Sequence, residues 1–168
     1  MALRRYAEEI KQQVSLKAGL KLGCEILMKT NICDFNALKT PSLLSKLKLL
    51  YNLANLDRGD FLNITIGNHE ISIAISQKYY EKILSFLEGE KLLLKQKDLV
   101  ALTLIFTGDF IHTPGITFQV MRVLAWENIN IYEIISTLTE LTLVIENKDS
   151  IKGYEVLQNF IERLEHGS

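Results

Sequence analysis

Leu102-Thr103-Leu104-Ile105-Phe106-Thr107-Gly108-Asp109-Phe110-Ile111-His112-Thr113-Pro114-Gly115-Ile116, followed by Glu127-Asn128-Ile129-Asn130-Ile131, decides the fold. The first stretch is an apolar strand, then a turn, then the start of an amphipathic helix. The second is where that helix ends and a new strand begins. Proline suits the first turn of a helix, and glycine lets a ligand's main chain approach the backbone. A helix start leaves N–H groups without internal partners and carries partial positive charge, so a carboxylate is a natural guest there. Asp109 or Thr113 is then placed to receive an ammonium or a polar side chain. The pattern suits a free amino acid, but Pro-Gly alone is more often a plain strand-to-helix turn.

Outward from this stretch, the elements follow from periodicity. Leu99 to Phe106 is a nearly continuous apolar run, fit for the middle of a sheet. Ile116, Val120, Val123 and Leu124 share one helix face. Strands are expected over 129–138 and 141–146. A last helix from about Ser150 turns Tyr154, Leu157, Ile161 and Leu164 inward. In the first half, Thr40-Pro41 signals a helix start. That helix carries Leu43, Leu44, Leu47, Leu50 and Leu53 and stops near Asp57-Arg58-Gly59. Residues 61–76 alternate as a hairpin about Gly67-Asn68. A helix follows over 78–87, with Gly89 closing it. Residues 3–13 read as an N-terminal helix, and the stretch after Cys24 as extended chain.

Pro41 and Pro114 each open a helix, and the strand 71–75 corresponds to 141–145 at a similar offset. Such self-similarity points to two copies of one α/β unit, each reading strand, helix, strand, strand, helix. The expected fold is α+β: two ferredoxin-like (βαββαβ) domains whose antiparallel sheets carry their helices on one face. The expected division is a helical segment at 1–20, a first domain at 21–96 and a second at 97–164. After Leu164 no residues remain for the second domain's fourth strand. Residues 91–95 and 24–30 are the candidates to lend one, within the chain or across a dimer.

Together with Asn128-Ile129-Asn130-Ile131, Glu133-Ile134-Ile135-Ser136 and the strand after Thr139-Glu140, the quoted stretch resembles the regulatory tail of aspartokinases over roughly residues 98–161. That resemblance implies ACT domains, which bind a small effector between paired domains. Carried across by position, it implies an effector loop of Asp109, His112, Thr113, Pro114, Gly115 and Ile116. The facing strand is then Asn128, Asn130 and Ile131. The first copy has Pro41-Ser42 where the second has Pro114-Gly115, so its site is expected to be degenerate. The whole chain resembles archaeal proteins with tandem ACT domains. In these a further helical segment precedes the Ala2–Ala7 stretch, which implies a shortened N-terminus here.

Composition narrows the function. The chain has 168 residues, 48% apolar and 23% charged, with a net charge of −1, which does not suit a strongly basic nucleic-acid binder. No apolar run reaches the ~18 residues of a membrane span. Cys24 and Cys33 read as reduced thiols of a cytoplasmic protein. Histidine and cysteine show no metal spacing, and no glycine-rich phosphate loop with a lysine occurs. No catalytic residue, metal or cofactor is expected. Trp126 and Phe118 read as core or interface residues. The leading expectation is a homodimeric regulatory protein of amino-acid metabolism that senses an amino acid. The alternative is a transcriptional regulator whose N-terminal segment, with Arg4 and Arg5, binds DNA. His166-Gly167-Ser168 reads as an appended tail and plays no part in the argument.

Overall fold

A computed structural model describes residues 23–107, 110 and 112–166. The expected N-terminal helix lies outside the described residues, as does Asp109. The elements run β1 (Cys24–Leu38), α1 (Pro41–Lys46), α2 (Lys48–Tyr51), β2 (Leu62–Ile66), β3 (Glu70–Ser76), α3 (Tyr80–Phe86), β4 (Leu92–Phe106), α4 (Ile116–Trp126), β5 (Ile131–Ser136), β6 (Glu140–Glu146) and α5 (Ser150–His166). Short 3-10 turns precede β2, α3 and α5.

The two expected sheets are one. Six antiparallel strands run in the order β2-β3-β1-β4-β6-β5. Its centre is a pair of 15-residue strands, β1 and β4, each of which serves both halves. The C-terminal part of β1 pairs with β3, while its N-terminal part, 24–29, pairs with 101–106 of β4. Residues 24–29 thus flank the second half on the side away from β6, which answers the strand shortage within the chain. Residues 91–95, the other candidate, belong to the opening of β4 and run beside 35–38.

Each long strand contains one left-handed residue, Asn31 at φ 58° and Asp98 at φ 57°, where the register slips. An extra residue in a strand bends it and inverts its alternation. Ile26 and Cys33 have opposite parity, yet both sit in helix-covered cores. The bulges therefore keep the apolar side of both halves under helices.

Two cores result. Cys33, Phe35, Ile71, Ile73 and Ile75 pack under Leu43, Leu47, Leu50, Ile83 and Leu87. Val100, Leu102, Leu104, Leu143 and Ile145 pack under Val120, Leu124, Leu157 and Ile161. A third cluster, Ile32, Leu99, Ala101 and Val144 with Phe61, Tyr132 and Ile135, lies on the opposite face. There Ser72 of β3 hydrogen-bonds Glu133 of β5. These strands have three others between them in the sheet. At about 4.8 Å per strand they would stand roughly 19 Å apart if the sheet were flat. The sheet therefore folds over on its helix-free face, and the two halves pack against each other there.

Some boundaries differ from expectation. The helix opened by Thr40-Pro41 breaks at Leu47 into α1 and α2 and ends in a separate 3-10 turn at Leu56–Arg58. Asn55 caps that turn through its side chain, which accepts from the Arg58 N–H, and so competes with continued helix. The strand expected over 129–138 covers only Ile131–Ser136, because Asn128 is left-handed and Ile129 still bonds back to Leu124. Trp126 and Phe118 are not core: they are 70% and 55% exposed, with the Arg122 guanidinium lying over both rings. No described helix is long and apolar enough to cross a membrane.

Candidate functional site

The loop between β4 and α4 is built on a firm base. Phe106, the last residue of β4, stacks on Phe110 with ring centroids 4.4 Å apart, and Phe110 is buried. The Thr113 N–H donates to the Phe110 carbonyl at 3.1 Å, which closes the turn. Thr107 is tied to the start of β1, its N–H and hydroxyl both donating to the Gly23 carbonyl. His112, Pro114 and Gly115 are exposed, and Ile116 is fully buried as the anchor of α4.

Gly115 is the N-cap of α4 at φ 92°, a left-handed conformation that side chains rarely adopt. Being glycine, the N-cap residue itself offers no capping side chain. A Cβ built on Gly115 would meet no atom of the described residues within 4 Å. The first N–H groups of α4 have no partner within the helix and carry partial positive charge.

The matching place in the first half is filled. Thr40 caps α1 by accepting from the Leu43 N–H at 3.0 Å. Its hydroxyl donates to the Glu90 carboxylate at 2.7 Å, and Lys46 pairs with the same carboxylate at 3.1 Å. Only 5% of the Glu90 side chain is exposed. Hydrogen bonds from Thr40, Ser42 and Lys46 hold its carboxyl below the usual range. The first half therefore places its own carboxylate at the start of its helix.

Asn128, Asn130 and Ile131 lie at the other end of α4. Asn128 is exposed and left-handed at φ 56°, Asn130 is exposed, and Ile131 begins β5 opposite Ile145. The 11 residues of α4 separate them from the loop by about 16 Å. One chain does not bring the two sets of expected site residues together.

A polar contact missed by sequence reasoning lies between the halves. Asp34 is fully buried, accepting from Ser72 at 3.0 Å and Asn36 at 2.9 Å. Ser72 also contacts Glu133, so one hydroxyl proton faces two carboxylates. Burial, helped by the Glu133 charge, pushes the Asp34 carboxyl up to about 6 against the pull of the Ser72 hydrogen bond. Neither cysteine is in a disulfide: Cys24 is half-buried, and burial pushes the Cys33 thiol up to about 12. Among the described residues no three His, Cys, Asp or Glu side chains are placed to hold a metal.

No protein-family model and no curated sequence matches the chain. Solved structures do match it. The ligand-free regulatory subunit of aspartate kinase from Thermus thermophilus aligns with a TM-score of 0.63 at 11% identity, over 80% of this chain and 95% of that one. A putative C-terminal regulatory domain of aspartate kinase from Porphyromonas gingivalis aligns at 0.61 and 13%, over 81% and 95%. The aspartate kinase of Clostridium acetobutylicum aligns at 0.66 and 18%, over 80% of this chain but only 34% of that longer one. The chain has the fold of an aspartate kinase regulatory domain.

Proposed function

We propose that this chain is a non-catalytic regulatory protein with two ACT-like units, and that it binds a free amino acid at the start of α4. On this reading the first unit comprises residues 32–96 and the second residues 99–164 with 24–29 as its fourth strand. The observation that carries the site is the contrast between the helix starts. In the first unit a carboxylate already sits there, held by Thr40, Ser42 and Lys46. In the second the N-cap is Gly115, and no carboxylate of the described residues is seen at that place. An amino acid's carboxylate would take the place that Glu90 holds in the first unit, with His112 and Thr113 beside it.

The separation of Asn128, Asn130 and Ile131 from the loop fits a site completed by a second copy. Among the described residues the sheet ends in β2 and β5, whose outer edges pair with no other strand there and could pair side by side with another copy. A homodimer that joins the loop of one copy to Asn128 and Asn130 of another would couple effector binding to subunit packing. The DNA-binding alternative would rest on residues 1–20, outside the described residues, and the reported structural matches lend it no support.

Thermal unfolding in the presence of each of the twenty amino acids tests this. A ligand at 100 times its dissociation constant stabilises by about 2.7 kcal/mol. At least one amino acid should raise the midpoint, and Gly115→Val should remove that response while the protein still unfolds cooperatively. A full response in the variant would place the site elsewhere, and no response to any amino acid would sink the sensing role.

A further inference from the structure

A second opening lies away from the α4 loop, where the 3-10 turn and β3 of the first half meet the β1 bulge at the end of residues 24–29. It is a cleft of about 550 Å3 where the bulge of β1, the 3-10 turn before β2 and the end of β3 converge. Its charged lining is Lys29, Arg58, Asp60 and Lys78. Asp60 is already engaged: Lys78 pairs with it at 2.6 Å, the Tyr79 hydroxyl donates at 2.5 Å and the Asn55 N–H at 2.9 Å. These contacts hold its carboxyl down to about 2. Lys78 and Asp60 therefore cancel. Lys29 and Arg58 make no side-chain hydrogen bond or ion pair among the described residues, so two positive charges stand uncompensated. Lys29 also reaches across from β1, its Nζ lying 3.5 Å from where a Cβ of Gly59 would be. The strand's cation and the turn's cation thus share one mouth.

The fold does not require this charge, because the second half has the same corner without it. Asn31 and Gly59 in the first half correspond to Asp98 and Asn128 in the second, all left-handed. Counting back from these, Lys29 matches Gln96 and Arg58 matches Glu127. Lys148 matches Lys78, but it pairs with Glu146, and Glu127 pairs with Lys152. Lys97, at the place of Thr30, pairs with Glu81 at 3.7 Å and lies over the Tyr80 ring, so each described cation of the second corner has a partner. We propose that the first corner binds a small phosphorylated compound. The forked Arg58 guanidinium would take two oxygens of the phosphate dianion and Lys29 a third, a geometry that favours phosphate over a single carboxylate. This site is independent of the amino-acid site.

Titration of 15N-labelled protein with inorganic phosphate at constant ionic strength tests the assignment, with succinate as a dicarboxylate comparison. The amides of Asn31, Arg58 and Gly59 should shift saturably with phosphate and at least tenfold more weakly with succinate. Arg58→Glu, which installs the second half's residue, should weaken phosphate by about tenfold or more. Its thermal midpoint should be unchanged, since the Arg58 side chain is exposed and unpaired among the described residues. Equal shifts in Arg58→Glu, equal affinity for succinate, or shifts confined to residues 112–117 would each overturn it.

Discussion

The two halves of this molecule share a strand order, a pair of long strands and a helix-covered face, yet they treat their first helices differently. In the first half the start of α1 is closed by Thr40 and occupied by Glu90. In the second, the N-cap of α4 is Gly115, with no described atom within 4 Å of where its Cβ would be. The comparison shows a carboxylate held beside one helix start by the chain's own side chains, and the proposed effector would bring one to the other.

The largest effect that would sharpen the comparison lies in packing. Ile83 of α3 and Gly153 of α5 stand at matching helix positions, each three residues after the helix begins. Ile83 is fully buried, whereas a Cβ on Gly153 would lie 2.9 Å from Ile145 Cδ1 and 3.1 Å from Leu102 Cδ1. The second helix sits closer to its sheet. Ile83→Ala should therefore cost about 3 kcal/mol in chemical denaturation, as a cavity. Gly153→Ala should be near neutral, because overpacking against two side-chain ends offsets the about 1 kcal/mol that alanine gains over glycine in a helix. Equal and small costs would mean the two helices ride at the same height.

Next comes the contact between the halves. With its carboxyl raised to about 6, Asp34 binds a proton more readily folded than unfolded. The unfolding free energy should then fall as pH rises from about 4 to 6 and carry the full penalty above that window. Asp34→Asn mimics the protonated state: its amide can donate to Ser72 while its oxygen accepts from Asn36. Denaturation at pH 7.5 should show the variant more stable by on the order of 2 kcal/mol, with a flatter profile between pH 4 and 6. A loss of stability at pH 7.5 would show that the ionised carboxylate is what the interface needs.

The smallest effect is the most specific. Glu90→Ala empties the first helix start and should lower the thermal midpoint modestly. Added acetate should recover part of that loss in the variant and none in the wild-type protein. Because the Glu90 carboxyl is held below its usual range, its contribution should be complete above the unfolded carboxyl range and fade as pH falls through the lowered folded value. Acetate acting equally on both proteins would break the analogy between the two helix starts.

Much of this was legible in the sequence. Leu62–Ile66 and Glu70–Ser76 alternate cleanly, and they form the hairpin that alternation predicts. Pro114-Gly115 marks where α4 begins, although the helix starts at Ile116 with Gly115 as its N-cap, so Pro114 precedes the first turn instead of entering it. The long strands were hidden by their bulges: Asn31 and Asp98 break the alternation that would reveal one strand of 15 residues. The Lys95-Gln96-Lys97-Asp98 run within β4 looks like a linker, yet it is held in the sheet against Asp34 and Phe35 of β1. Glu90 lies 50 residues from Thr40, and no local pattern links a carboxylate to a cap at that distance. The cations at 29 and 58 meet only because the chain folds them together.

The most direct test of the central claim is an NMR titration with whichever amino acid stabilises the protein. The amides of Thr113, Gly115, Ile116 and Thr117 should shift with a single binding curve. Those of Thr40, Ser42 and Leu43, where Glu90 already sits, should stay in place. Shifts at Thr40–Leu43 with none at 113–117 would contradict the account, because the effector would then enter the half that the structure shows as filled.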